Sequence, residues 1–293
     1  VGRFPFLGRQ LHRVVNHAGH PRRLAAARVM IGLIGAHFET SVTAMIPILH
    51  RDDRVVVVAK PAGLLVHRST LDRHETVFLV QSLRDQLGCV VHPVHRLDRP
   101  TSGAMVLALD ARACTLLSES FEQGLVEKRY LAVVRGHMPA EGVVDHPLHR
   151  LRDDPGQRPV ASVRVADEAR TRYRCLAKAE LPHRIDRYPT TRYSLVALAP
   201  LTGRRHQLRR HLKHLAHPII GDTTYGKSLH NRYFEQHLGS NRLLLASTQL
   251  SFPHPEDGRR LAVGAPLSDD FRRVVISLGW VEPCCTQDAL AAH

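Results

Sequence analysis

From Met45 onward, strand-like and helix-like runs follow one another in irregular order, and this restricts the fold more than any other feature of the chain. Residues 55–59 are a β-branched run closed by the turn Lys60-Pro61-Ala62-Gly63, which predicts a strand. Residues 76–87 place Leu79, Val80, Leu83 and Leu87 at helical spacing. Residues 95–103 are polar and predict a loop, 104–109 a strand, and Asp110 is positioned to cap a helix through about Gln123 with Leu116, Leu117 and Phe121 inward. Strands are predicted again at 128–134 and 192–199, with a charged, proline-containing loop or irregular hairpin over 145–167. Residues 201–203 turn into a helix through about Leu215. A doubly wound parallel sheet requires regular strand-helix-strand alternation, and a phosphate-binding version adds a glycine-rich loop after a strand; neither pattern occurs. The expectation is one mixed α+β domain over residues 45–281.

Charge narrows what such a domain binds. Lysine and arginine outnumber the acids 41 to 27, for a formal net charge of +14, and the pI is near 10.3. That balance is the electrostatic footprint of a polyanion binder. No apolar run approaches the roughly 20 residues that span a bilayer; the best candidate, 29–36, ends at His37. Five cysteines (Cys89, Cys114, Cys175, Cys284 and Cys285) form no CxxC pair and are odd in number, so neither a zinc site nor a disulfide framework follows. A reducing, cytoplasmic setting fits. Residues 1–44 carry Arg3, Arg9, Arg13, Arg22, Arg23 and Arg28 against one acid, Glu39, with poor periodicity. They are read as an N-terminal extension, disordered or outside the natural start, and residues 282–293 as a loose C-terminal tail.

Three segments carry chemistry. In His95-Arg96-Leu97-Asp98-Arg99-Pro100-Thr101-Ser102-Gly103 one carboxylate lies among two arginines and a histidine. Neighbouring cations favour its ionised form, which suits a nucleophile or base; a structural ion pair in a turn is the alternative. In residues 202–214 a helix with the stripe Leu208, Leu212 and Leu215 would present cations on its other positions, with Arg205 and Arg209 sharing a face. Such a helix tracks a phosphate backbone or is simply a solvated basic face. His211, His214 and His217 match no usual metal-ligand spacing, and no metal is expected. In the strand around Lys128-Arg129-Tyr130, alternation puts Lys128, Tyr130 and Ala132 on one face, so Tyr130 can stack on a base, move a proton, or be an ordinary core tyrosine. The residues by themselves reach a nucleic-acid-binding α+β domain with an ionised aspartate.

The His95–Gly103 run resembles the signature of the RluA-type pseudouridine synthases. Lys60-Pro61-Ala62-Gly63, Lys128-Arg129-Tyr130, Thr202-Gly203-Arg204 with His206-Gln207-Leu208-Arg209, and His217-Pro218-Ile219-Ile220-Gly221-Asp222 are similar to the other motifs of that family, in the same order over about residues 46–266. The resemblance implies a largely antiparallel mixed sheet flanked by helices around a central active-site cleft. It implies an isomerase that breaks the C1′–N1 bond of a uridine, rotates the uracil and rejoins it through C5, with no cofactor. It assigns Asp98, Tyr130 and Arg209 as catalytic, and Arg96, Lys60, Arg204 and Gln207 to RNA binding. Within the family, Val66-His67-Arg68-Ser69 with Leu71-Asp72-Arg73, and Arg187-Tyr188-Pro189-Thr190-Thr191-Arg192-Tyr193, resemble the TruC-type branch, which acts on uridine 65 of tRNA. RNA, tRNA foremost, is therefore the expected partner, with no membrane and no protein partner implied. A ribosomal RNA enzyme of the same family, and a non-catalytic RNA-binding protein on the same scaffold, are the alternatives. One departure stands out: Leu245-Ala246-Ser247 replaces the family's Leu-His-Ala, which puts any role of that histidine in doubt.

Overall fold

The computed structural model describes residues 45–68, 75–151 and 166–280. The expectations for residues 1–44, for Ser69 and Leu71-Asp72-Arg73, for the middle of the 145–167 segment and for the tail from Glu282 lie outside the described residues. In chain order the elements are β1 (Ile48–Arg51), β2 (Val55–Lys60), α1 (Leu79–Leu87), β3 (His92–Pro93), β4 (Ser102–Ala108), α2 (Ala111–Glu122), β5 (Glu127–Arg135) and β6 (Glu141–Asp145). They continue with β7 (Leu148–His149), β8 (Ala166–Asp167), β9 (Arg170–Leu181), β10 (Thr191–Pro200), α3 (Gln207–His214), α4 (Ser228–Leu238), β11 (Leu245–Pro253), β12 (Arg260–Gly264) and α5 (Asp269–Ser277).

The main sheet runs β1-β2-β4-β11-β5-β10-β9-β6, with β3 added to β4 and β12 to β11. Every pairing in it is antiparallel except β4 with β11, so the sheet is mixed and largely antiparallel, as expected. Strand periodicity buries both faces. Val56 and Val58 of β2, with Tyr130, Ala132 and Val134 of β5, face a cluster closed by Leu79 and Leu83 of α1 and by Leu208 and Leu212 of α3. Their alternates face the other way: Val55 and Val57 meet Ala113 and Leu117 of α2, while Leu131 and Val133 meet Phe234 of α4 and Phe271 of α5.

Helix ends follow local chemistry. Asp110 caps α2 as expected, its carboxylate accepting from the Ala113 amide at 2.9 Å. Its inward residues are Ala113 and Leu117, with Leu116 and Phe121 only half-buried. α3 starts later than its sequence pattern suggests, because His206 takes a left-handed conformation (φ 56°) and the Gln207 side chain accepts from the Arg204 amide at 3.0 Å. Arg205 therefore stands outside α3, and the shared helical face expected for Arg205 and Arg209 does not form. β9 has no counterpart in the sequence reading. Its sequence, RTRYRCLAKAEL, alternates charges with small residues and lacks a hydrophobic run, yet it pairs with β10 over ten residues and with β6 on its other edge.

The parallel β4–β11 junction sets the site, because Asp98 lies in the loop that enters β4. There Gly103 has φ +109°, and a Cβ at this position would overlap the Ser247 backbone. Gly103→Ala is expected to lower stability by at least about 3 kcal/mol, combining left-handed strain with backbone overlap. Urea unfolding of parent and variant measures it, and an unchanged midpoint would contradict this close approach.

Candidate active site

A cavity of about 890 Å³ opens where the loop before β4, the start of β5, the end of β10 and the start of α3 converge. Asp98, Tyr130 and Arg209 all line it. β4 and β5 flank β11, so residues at their ends stand about 10 Å apart across the sheet, two strand spacings. That topology brings Asp98 and Tyr130 to one pocket although they lie on separate motifs.

Asp98 is held by a partner far away in sequence. Its Oδ2 accepts from Arg209 Nη1 at 3.2 Å and has His206 Nε2 at 3.9 Å. Its Oδ1 makes no hydrogen bond to a described residue. The sequence neighbours that suggested an ionised carboxylate do something else. Arg99 donates to Glu75 at 2.5 Å and to the Gly63 carbonyl at 3.0 Å. His95 is half-buried, accepts from the Val106 amide through Nε2 at 3.1 Å and stacks on Phe121. Burial, aided by Lys128, pulls the His95 imidazole down to about 3, so it is neutral at physiological pH and lends Asp98 no charge.

Arg209 is the pivot. Its guanidinium forks onto Asp222, Nε to Oδ2 at 2.8 Å and Nη2 to Oδ1 at 2.9 Å, and spends a third donor on Asp98. Burial alone would lower the guanidinium, but Asp222 and Asp98 outweigh it and hold it above its ordinary value. Burial alone would raise the Asp222 carboxyl; Arg209 and the amides of Tyr225 and Thr224, each at 2.9 Å, hold it below the usual range. Tyr225 completes the support. Its ring lies under the Arg209 guanidinium at 5.1 Å, and its hydroxyl meets His206 Nδ1 at 3.1 Å. Arg209 is thus a buried positioning group, not a cation tracking a phosphate backbone.

Tyr130 is buried on β5, and burial together with the Asp98 charge raises its hydroxyl above the ordinary phenol value, with nearby Ser247 opposing slightly. It is a neutral phenol over the physiological range. It can pack against a base or pass a proton in concert, but it is not a resting phenolate base.

Two residues assigned to RNA contact lie beneath the surface. Lys60 is 1% exposed, and its three ammonium donors go to the carbonyls of Pro61 (2.9 Å), Leu64 (2.7 Å) and Arg99 (3.1 Å). With the Gly63 amide on the Arg99 carbonyl at 2.8 Å, this locks the Lys60–Leu64 turn to the Asp98 loop. Burial lowers the Lys60 ammonium to about 7 against the opposing pull of Asp98. Gln207 is buried and bonded to Thr202, Arg204, Arg170 and Thr171. Both hold loops in place, and Gln207 also borders the cavity. Arg96 and Arg204 remain exposed at the cavity, the Arg204 guanidinium donating to the Glu168 carbonyl at 3.0 Å.

Asp222, His206 and Tyr225 are site residues without an assigned role in the sequence. His206 and Asp222 each stand in a quoted motif, whereas nothing in the sequence marks Tyr225. Ala246 is buried among Leu131, Leu244 and Phe271, on the sheet face away from the cavity, so the missing histidine does not alter the pocket lining. His211 is bonded to Thr171 and the His146 carbonyl, His214 stacks on His146, and His217 bonds the Arg135 carbonyl, each a structural contact. The Arg187–Tyr193 segment spans the end of the β9–β10 connection and the first residues of β10, roughly 30 Å of strand away from the cavity end of β10, with Tyr188 exposed and Tyr193 buried.

With this geometry described, similarities to known proteins become informative. Residues 54–214 match the RNA pseudouridylate synthase family. The chain is 48% identical over 233 residues to tRNA pseudouridine synthase C of Haemophilus ducreyi, covering 80% of this chain and 96% of that one. It is 45% identical over 238 residues to tRNA pseudouridine synthase C of Vibrio cholerae, covering 81% and 98%. Among solved structures it resembles human RNA pseudouridylate synthase domain containing 4, with a TM-score of 0.59 and 30% identity over 80% of this chain and 93% of that one.

Proposed function

Because this chain belongs to the RNA pseudouridylate synthase family, an isomerase family, we propose that it converts a uridine of tRNA to pseudouridine, position 65 being the expected target. The observation that carries the reading is the Asp98–Arg209–Asp222 arrangement beside Tyr130 in one cavity. A carboxylate with one oxygen fixed by a buried guanidinium and the other uncommitted suits attack on, or proton removal from, a held nucleotide.

The reaction breaks C1′–N1 and forms C1′–C5; the C5 proton leaves and N1 gains one. No electron is gained or lost, so the chemistry needs binding, orientation and proton transfer, all within reach of side chains. The detached uracil must stay in place while it turns, which requires an enclosed site. Asp98 acts on the nucleotide, Arg209 keeps the carboxylate aimed, and the Tyr130 ring packs on the uracil.

A uridine inside a stem must leave its stack to enter the cavity. Arg96, exposed at the rim, is positioned to fill the gap with its planar guanidinium. Arg96→Ala is expected to raise KM for RNA about tenfold, the scale of one lost stacking contact, and to leave the melting temperature unchanged. Equal turnover at limiting RNA would remove Arg96 from this role. No helix among the described residues is long and apolar enough to cross a membrane, and the proposed site of action is the cytoplasm.

The direct test is incubation of the purified protein with unmodified tRNA, followed by carbodiimide labelling and primer extension. A stop at uridine 65 supports the reaction and the substrate together. Modification only elsewhere in tRNA, or only in ribosomal RNA, overturns the substrate assignment, and no modification of either RNA overturns the enzyme reading.

A further inference from the structure

Lys128 lines the cavity on the same strand face as Tyr130, two residues away and thus roughly 7 Å along β5. It is half-buried, and burial lowers its ammonium below the ordinary lysine value with no carboxylate offsetting the loss. Among the described residues its Nζ makes no hydrogen bond or ion pair; it lies over the Phe121 ring, 6.0 Å from the centroid. Glu127, next in sequence, also borders the cavity, but its carboxylate is taken up by Arg260. A cation partly removed from water without a counter-charge is unfavourable, so such a group in a cavity marks the place of an anion that arrives from outside.

The opposite wall is Gly203. A Cβ built there would have Lys128 Nζ as its one close neighbour, at 3.9 Å, in otherwise open space. Among the described residues the Gly203 amide finds no backbone acceptor, and the backbone is not left-handed, so glycine is not demanded by conformation. What its missing side chain provides is room between an unpaired ammonium and an open N–H. The cavity volume, about 890 Å³, lies near the top of the roughly 300–1,000 Å³ range of small-ligand pockets, so it has space for backbone as well as base.

We propose that Lys128 and the Gly203 amide bind one phosphodiester of the RNA backbone adjoining the uridine that is isomerised. The separation of Lys128 from Tyr130 suits the span from a pyrimidine ring across its ribose to a neighbouring phosphate. The site makes the sugar-phosphate a second handle on the nucleotide, so that the ribose stays fixed while its base is detached and turned. It would hold any nucleotide backbone without reading the base. This inference rests on the reading of the chain as a pseudouridine synthase.

The test measures equilibrium binding of unmodified tRNA, and its salt dependence, for the parent, Lys128→Met, Lys128→Arg and Gly203→Val, with turnover followed in parallel. Lys128→Met is expected to weaken binding about tenfold and to lower the slope of log affinity against log salt by about one. KM should rise with kcat within about threefold, because the contact exists before and during the reaction. Gly203→Val removes no charge and sits on an exposed turn, so it should weaken binding similarly without a change in melting temperature. Lys128→Arg should recover most of the affinity. A neutral methylphosphonate beside the modified uridine should weaken the parent and leave Lys128→Met unaffected. Parent-like affinity and salt slope in both Lys128→Met and Gly203→Val would overturn the proposal, as would loss confined to kcat. A parent that binds RNA and forms no pseudouridine would instead overturn the enzymatic reading, while the binding arm still decides the phosphate site.

Discussion

Asp98→Asn is expected to fold as the parent does and to lose pseudouridine formation by on the order of 10⁴-fold or more, the scale reached when a nucleophile or base is removed from a working site. The fold should tolerate it for a specific reason. Asp98 Oδ2 accepts one hydrogen bond from Arg209, and an amide oxygen can accept the same bond. Arg209 keeps its fork to Asp222, so no buried cation is left without an anion. The backbone of the loop is held by Lys60 and by the Thr101 amide on the Asp98 carbonyl at 3.0 Å, neither of which involves the carboxylate. What disappears is the negative charge and the uncommitted oxygen. The measurement is single-turnover conversion of tRNA alongside a urea unfolding curve. Retained turnover within tenfold of the parent would remove Asp98 from the chemistry, and a large loss of stability would show that the carboxylate is structural.

The second large effect is on stability. Arg209→Met takes a guanidinium from between two carboxylates and leaves Asp222, with a side chain 1% exposed, as a buried charge without its cation. Breaking such a pair from one side costs about 3–5 kcal/mol, enough to lower the melting temperature by on the order of 10 °C. Activity should vanish with it, because Asp98 loses the group that aims it. Arg209→Lys keeps the charge but cannot fork, and is expected to recover part of the stability and little of the turnover.

The sign of the pH dependence separates this account from simple loss of packing. In the parent, Asp222 has a folded-state pKa below its unfolded value of about 3.9. Its contribution is therefore present above that value and is lost as pH falls through the folded pKa. In Arg209→Met, burial acts without the cation and raises the carboxyl, so protonation favours the folded variant. The stability difference between parent and variant should be largest near neutrality and shrink as pH falls through the carboxylate range. A difference that stays constant from neutral to acid pH would point to lost side-chain volume alone.

Much of the site was written locally. Asp98 stands in a run of fixed chemistry, Lys60 in a turn that begins with proline and ends with glycine, and Tyr130 on a strand whose alternation points it inward. Such signals are readable because they depend on residues within a few positions of one another. The strands at β2, β4, β5 and β10 were legible for the same reason: β-branched and aliphatic residues bury both faces and produce continuous runs. β9 was not, since its exposed positions carry Arg170, Arg172 and Lys178 and its pairing comes from β10 and β6 rather than from its own composition.

The sequence by itself determined the family and the α+β class, and it singled out Asp98, Tyr130 and Arg209, which the fold brings to one cavity. It also set the basic charge, a formal +14, that suits a polyanionic partner. Only the tertiary structure decided what each charged group does. It turned Arg99 away from Asp98 and onto Glu75, made His95 a neutral acceptor, and sank Lys60 and Gln207 under the loops they hold. It placed Asp222 beneath Arg209 and left Lys128 without an anion. The physical reason is that a charged side chain takes its role from burial and from the partner it meets. Both are set by segments brought in from across the sheet, and no spacing along the chain records them.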